Sequence, residues 1–240
     1  MFSSLQNLLQ PAYLLETLIF ILAFVISISF HERSHAWAAW KLGDDTAYLA
    51  GRLTMNPLAH VDWIGLLMVV FAHIGWAKPV PINPVRFRGP MKRGIVLVSV
   101  AGPVSNLILA AGSAFLLVPA SRWLPSGTVR DLLVYATSTS GGAVYISGIG
   151  FLLAMFYLNV SLAVFNLLPV PPLDGYKVLG AVLPDRLYYA VMRYEQYIGL
   201  VFLAIVLFAG SGLSYVINLV ARPLETAILF PIQALFNLIP

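Results

Sequence analysis

One stretch of the sequence decides the fold: residues 14–42 read LLETLIFILAFVISISFHERSHAWAAWKL. Its first part, Leu14–Phe30, is almost wholly apolar and continues without a break into HERSH at residues 31–35. Because an α-helix rises about 1.5 Å per residue, a helix over this stretch is long enough to cross most of a bilayer. The ionisable cluster then lies inside the hydrocarbon or at its edge, where such groups are costly unless they act together.

The spacing of the two histidines indicates what this cluster could do. His31 and His35 are four residues apart, so they share one helical face, and two imidazoles can bind one Zn²⁺. Glu32 sits where a carboxylate can take a proton from metal-bound water, which is the H-E-x-x-H pattern of zinc hydrolases. The alternative interpretation is a buried histidine pair satisfied by neighbours on its own helix, because short motifs also match by chance.

The composition indicates an integral membrane protein. The 240 residues are 60% hydrophobic and only 10% charged, whereas a soluble domain averages about 25% charged residues. We therefore predict an all-α polytopic membrane protein, a bundle of about four to six transmembrane helices. The net charge of +4 is spread over loops, so we interpret the cations as topology determinants and expect no nucleic-acid partner. Since the chain has no cysteine, a metal would have to be held by His, Asp or Glu.

The apolar runs predict the order of the spans. We expect crossings at about 14–41, 94–120, 142–168 and 197–217. The intervening run 61–76 is short for a crossing, and the prolines at 79, 81 and 84 forbid a helix. These residues therefore predict a membrane re-entrant segment with irregular or β-like backbone. We divide the chain into a core, 1–220, and a tail, 221–240, which is an interfacial helix or a weak further crossing.

The loop charges predict an orientation. Residues 86–93 carry four cations and are expected in the cytoplasm, whereas 121–141 carry only two arginines and suit the outer side. The first and third spans then both run inward. This places His31, His35 and Asp174 at a similar depth, toward the cytoplasm.

Two histidines leave a catalytic zinc site one protein ligand short. Asp174 is the best candidate, because three prolines precede it and a glycine follows, and such stiff, non-helical backbone suits a carboxylate aimed into the bundle. The alternative is that Asp174 caps the helix that follows it. Weaker candidates are His60, His73, Asp44, Asp45, Asp62 and Asp185.

Two asparagines in predicted spans each have two interpretations. Asn106 follows Gly102 by four residues and could make an interhelical hydrogen bond, or it could donate to an oxyanion or to substrate backbone. Asn166 has the same two interpretations, and its position near Asp174 also suits an orienting role.

Several motifs together resemble the site-2 proteases, which are intramembrane zinc metalloproteases. They are HERSH at 31–35 in an early membrane helix, GPVSN at 102–106, and Asn166 followed by Pro169 and the LDG at 173–175. The segments 56–60 and 75–84 are also similar to family segments, so the resemblance covers residues from about 20 to 180.

The resemblance implies a site and an activity. His31, His35 and Asp174 would bind one zinc ion per chain, and Glu32 would be the catalytic acid and base. The resemblance suggests that Asn106 and the segment with Trp76, Pro79, Val80 and Pro81 bind substrate. Asn166, from its position, completes the predicted substrate-binding set. An unwound substrate could add as a strand to the re-entrant segment.

The expected protein is therefore a zinc endopeptidase that cleaves membrane proteins in or near their transmembrane segments. We expect a minimal catalytic core without a PDZ or CBS domain, in a bacterial or archaeal cell membrane, with its site toward the cytoplasm. The alternative is a non-proteolytic metal-binding membrane protein or transporter, which would not need Glu32. A pseudoprotease is disfavoured, because the expected catalytic residues are all present.

Overall fold

The structure, a computed structural model, describes residues 11–72, 75–121, 143–184, 186–187 and 193–238. These residues form eight α-helices: α1 Pro11–Lys41, α2 Thr46–Leu49, α3 Trp63–Ala72, α4 Met91–Ser121, α5 Ala143–Asn166, α6 Asp174–Val182, α7 Glu195–Phe208 and α8 Gly210–Asn237. In the described ranges the only β-pairing is an isolated antiparallel bridge between Val61 and Ala77. The predicted all-α class is confirmed. The loop predicted at 121–141 lies, from residue 122 onward, outside the described residues.

Four of the described helices are long and apolar enough to cross a membrane: Leu14–Lys41, Met91–Ala120, Gly148–Asn166 and Gly210–Asn237. The first three confirm predicted spans. The span predicted at 197–217 is wrong, because α7 ends at Phe208 and the glycines at 210 and 212 accompany a break in the helix. With 14 residues α7 is short for a crossing. The fourth long helix is α8, which includes most of the tail, and the domain division at 220 stays a prediction.

The core of the bundle is formed by α1, α4 and α5, which pack against one another. Ala110 and Ala114 of α4 are fully buried against Phe156 and Val160 of α5, and Ala221 of α8 joins the same cluster. Since lipid is as apolar as these side chains, helices in a membrane associate through close packing, which small residues permit.

Between α1 and α4 lies the region predicted to be re-entrant, and the structure gives it a short helix and an irregular segment. The helix α3 has only 10 residues, and residues 75–82, called here the extended segment, follow it without helical structure.

Hydrogen bonds hold the extended segment at its middle and just after its last residue. The backbone N–H of Lys78 donates to the carbonyl of His60 over 2.8 Å, and the guanidinium of Arg52 donates to the Lys78 carbonyl. Just beyond the segment, the N–H of Asn83 donates to Oδ2 of Asp44 over 2.7 Å. The loops around the segment therefore fix it beside α1.

Candidate metal centre

The helices α1 and α6 bring three metal-ligating side chains together. Nε2 of His31 lies 3.0 Å from Nε2 of His35. Oδ2 of Asp174 lies 3.2 Å from the first of these nitrogens and 3.1 Å from the second. All three residues are buried, and together they could hold a metal ion.

The separations suit a small divalent cation. Ligands about 2.0–2.1 Å from a tetrahedral zinc ion lie about 3.3 Å from one another. The observed 3.0–3.2 Å needs only a slight widening to reach that arrangement. The donor set of two imidazoles and one carboxylate is also one that zinc accepts while keeping a position open.

The other ring nitrogens face fixed acceptors. Nδ1 of His31 lies 2.7 Å from Oδ1 of Asn106, and Nδ1 of His35 lies 2.7 Å from the backbone carbonyl of Val98. Each Nδ1 therefore carries the hydrogen, which leaves each Nε2 with a lone pair for a metal. Because both acceptors belong to α4, this one helix orients both rings.

Gly102 allows α4 to approach the rings this closely. A Cβ atom at this position would lie 2.5 Å from Nε2 of His35 and 2.6 Å from Cε1 of His31. No side chain fits there while the rings keep their places.

The turn after α5 delivers Asp174. A Cβ at Gly175 would clash with the carbonyl of Leu167, so this turn also depends on a glycine. Leu173 is the N-cap of α6, and Asp174 is the first residue of the helix, so the alternative in which Asp174 is the capping residue is not what the structure has.

The carboxylate of Asp174 has basic groups beside both of its oxygens. Its Oδ2 faces the Nε2 atoms of His31 and His35. Nζ of Lys177 also lies 3.6 Å from Oδ1 of Asp174.

A cavity of about 400 Å³ opens beside the three candidate ligands. Besides them it is lined by Glu32, Trp76, Pro79, Val80, Asn166 and Lys177, among others. Oε2 of Glu32 accepts a hydrogen bond from the backbone N–H of Val80 over 3.1 Å. The catalytic candidate thus faces the same space as the metal ligands.

Two residues predicted to bind substrate lie elsewhere. Pro81 is not among the residues that line the cavity. Asn106 is fully buried behind His31, where it makes the interhelical hydrogen bond of its alternative interpretation. A role for either in substrate binding stays a prediction.

The weaker metal candidates have other partners. Nε2 of His60 hydrogen-bonds to the Thr54 carbonyl, and Asp44 accepts a hydrogen bond from the N–H of Asn83. Asp45 forms a salt bridge with Arg86, and Asp62 accepts a hydrogen bond from the N–H of Gly65. His73 and Asp185 lie outside the described residues.

Sequence reasoning missed Asn159. This side chain is fully buried in α5 and accepts a hydrogen bond from Asn106 over 2.7 Å. The signal was available, because it is an amide in the middle of an apolar span.

These features define an all-α integral membrane protein with a buried cluster of two histidines and one aspartate that could hold a metal ion. The sequence profile of Peptidase family M50 matches residues 19–209. The chain therefore belongs to this family, the site-2 proteases.

Curated relatives carry the same description. YwhC of Bacillus subtilis (strain 168), named as a zinc metalloprotease, is 40% identical over 198 residues, which cover 82% of this chain and 83% of the relative. Rip2 of Mycobacterium tuberculosis (strain H37Rv), named likewise, is 33% identical over 80% of this chain and 67% of its own length. Rip2 of Mycolicibacterium smegmatis is 34% identical over 66% of this chain and 55% of its own length. No solved structure gives a significant match. The chain is a zinc metalloprotease of the membrane, as the sequence predicted.

Proposed function

We propose that this protein hydrolyses peptide bonds in or near the transmembrane segments of membrane-protein substrates, with His31, His35 and Asp174 as zinc ligands and Glu32 as general base and acid. One observation carries the proposal: two imidazole nitrogens and a carboxylate oxygen converge to within 3.2 Å of one another, beside a cavity that Glu32 also lines.

The residues around the cavity have distinct tasks. Bound zinc lowers the pKa of a coordinated water and polarises the substrate carbonyl. Glu32, which lines the cavity, would accept a proton from the attacking water and would later donate one to the leaving amine. The N–H of Val80 holds one oxygen of Glu32 and leaves the other to move the proton.

The extended segment is the proposed docking edge for substrate. Trp76, Pro79 and Val80 line the cavity, and an extended peptide can add to an exposed edge through its backbone. A helical substrate must unwind first, because its carbonyl groups are already hydrogen-bonded. Helix-breaking residues near the scissile bond should therefore favour cleavage.

The site is proposed to lie within the membrane and to open toward the cytoplasm. Four cations, Arg86, Arg88, Lys92 and Arg93, surround the start of α4, and such clusters mark cytoplasmic loops. Gly102, which touches the rings, lies eleven residues into α4, or about 16 Å along the helix axis. A hydrocarbon core is about 30 Å thick, so water must reach the site through a polar path from that side.

The test uses proteoliposomes that contain a single-pass substrate. We expect Glu32→Gln to keep its zinc and to lose activity by about 10²–10⁴-fold, the usual contribution of a general acid–base group. We expect Asp174→Asn to lose zinc, whereas the matched variant His60→Ala should keep it. Cleavage that survives Glu32→Gln would falsify the mechanism. A non-proteolytic metal-binding protein or transporter would bind zinc but would not cleave the substrate, whether or not Glu32 is present.

A further inference from the structure

A chain of buried amides runs from α5 to the metal centre. Nδ2 of Asn159 donates to the backbone carbonyl of Met155 over 2.7 Å and to Oγ of Ser27 over 2.8 Å. Oδ1 of Asn159 accepts from Nδ2 of Asn106 over 2.7 Å, and Oδ1 of Asn106 faces Nδ1 of His31 over 2.7 Å. Asn106 and Asn159 are fully buried, and neither is among the residues that line the cavity.

The contacts of Asn159 determine which group donates and which accepts in every hydrogen bond of this chain. The Met155 carbonyl can only accept, and the Ser27 hydroxyl gives its hydrogen to the Ala23 carbonyl over 2.7 Å, so Asn159 must turn its NH₂ group toward both. Its oxygen then faces Asn106, which must in turn present its own NH₂ group. The oxygen of Asn106 is left for His31, whose Nδ1 must carry the hydrogen.

We propose that Asn159 is a positioning residue that selects the tautomer of His31. It keeps the hydrogen on Nδ1 and so leaves the lone pair of Nε2 for the metal. The inference rests on His31 being a zinc ligand, as proposed above.

A comparison with His35 shows why the orientation of the Asn106 amide matters for His31. Nδ1 of His35 faces a backbone carbonyl directly, and a carbonyl cannot donate. Nδ1 of His31 faces an amide, which could present either its oxygen or its NH₂ group after a half-turn of the side chain.

The NH₂ group of Asn106 also donates to the Ser27 carbonyl, but over 3.5 Å, against 2.7 Å to Asn159. Without the closer acceptor the amide could turn and donate to Nδ1. The hydrogen of His31 would then occupy Nε2, where Oδ2 of Asp174 could accept it.

Two substitutions at Asn159 separate this role from packing. Asn159→Leu removes the closer of the two acceptors for Asn106, whereas Asn159→Asp keeps an acceptor and loses the donors. If Asn159 only fills space in an apolar bundle, leucine should be tolerated better than a carboxylate. The proposed positioning role predicts the opposite for zinc affinity: Asn159→Asp should bind zinc more tightly than Asn159→Leu.

The experiment records the tautomers of His31 and His35 by ¹⁵N NMR in the metal-free, detergent-solubilised full chain, and zinc affinity by competition with a chelator. In Asn159→Leu we expect the hydrogen of His31 on Nε2, an unchanged His35, and zinc bound about 10- to 100-fold more weakly, the usual loss for a partner behind a metal ligand. Asn159→Asp should keep the hydrogen on Nδ1 and bind zinc more tightly than Asn159→Leu. Ser113→Ala, which removes a buried hydroxyl of α4 that bonds only the Leu109 carbonyl among the contacts described, is the matched control and should change neither readout.

Two results would overturn the inference. One is Asn159→Leu with wild-type tautomers and zinc affinity, and the other is Asn159→Asp with the hydrogen of His31 moved to Nε2. If Asn159→Leu does not fold, the second result still decides. A different result would show that the proposed zinc ligands are wrong: His31→Ala would then bind zinc as tightly as wild type.

Discussion

Gly102→Ala should weaken zinc binding without removing any ligand. The new methyl group would lie 2.5 Å from Nε2 of His35 and 2.6 Å from Cε1 of His31. Non-bonded heavy atoms sit about 3.5–4.0 Å apart, so the rings or the helix must move by about 1 Å. Metal–ligand distances tolerate only about 0.2 Å, so the displaced rings could share one cation with Asp174 only in a strained arrangement.

The size of the effect follows from the cost of overpacking. An extra methyl group in a well-packed interior costs about 1–3 kcal/mol. If that cost falls on the bound geometry, zinc affinity drops roughly 5- to 150-fold. The assay is competition with a chelator in detergent, and thermal unfolding of the metal-free variant measures how much of the cost falls on the fold itself.

Gly112→Ala is the matched control on the same helix. A Cβ at Gly112 meets nothing within 4 Å, and alanine is favoured over glycine inside a helix by about 0.5–1 kcal/mol. Zinc affinity should stay at the wild-type value and the unfolding temperature should not fall. If Gly102→Ala binds zinc as tightly as Gly112→Ala, α4 does not confine the rings and the geometry derived above is wrong.

Three further outcomes are expected. Val80→Pro removes the N–H that donates a hydrogen bond to Glu32, so peptidase activity should fall while zinc affinity is kept. Val80→Ala keeps that N–H and should cleave normally. Burial lowers the pKa of His60 from its ordinary 6.5, nearby Arg52 lowers it further, and the Thr54 carbonyl and Glu32 only partly oppose this; the unfolded chain therefore binds a proton more readily than the folded one. Thermal stability should fall as the pH drops below about 6.5, and the fall should be shallower in His60→Gln. Removal of zinc by a chelator should lower the unfolding temperature, because the metal binds the folded state, and a transition that does not move would show that zinc is not bound under those conditions.

The sequence was sufficient for features that depend on local spacing. The run Leu14–Phe30 is long enough for a crossing, and a separation of four residues puts His31 and His35 on one face of any helix. The closely spaced prolines of the extended segment likewise disfavour a helix there.

Other features depend on which elements meet, and local patterns do not contain that information. Residues 197–217 have the hydropathy of one span, but helix α7 ends at Phe208 and a new helix, α8, begins at Gly210. The hydrogen-bond partners of Asn106 within the protein, His31 and Asn159, could not be predicted, because they lie on two other helices, α1 and α5. The bond from Arg52 to the Lys78 carbonyl joins two loops that no periodicity connects.

The position of the cluster in the chain also bears on how the protein is made. His31 and Asp174 are separated by more than half the length of the chain, so a cation held between them is a cross-link that closes most of the polypeptide into a loop. The ribosome completes α1 long before α6, and the ligand set does not exist until both have been inserted. If these residues hold the metal, as proposed, loading would be a late event in biogenesis, and resistance to digestion by an added protease should increase when zinc is added.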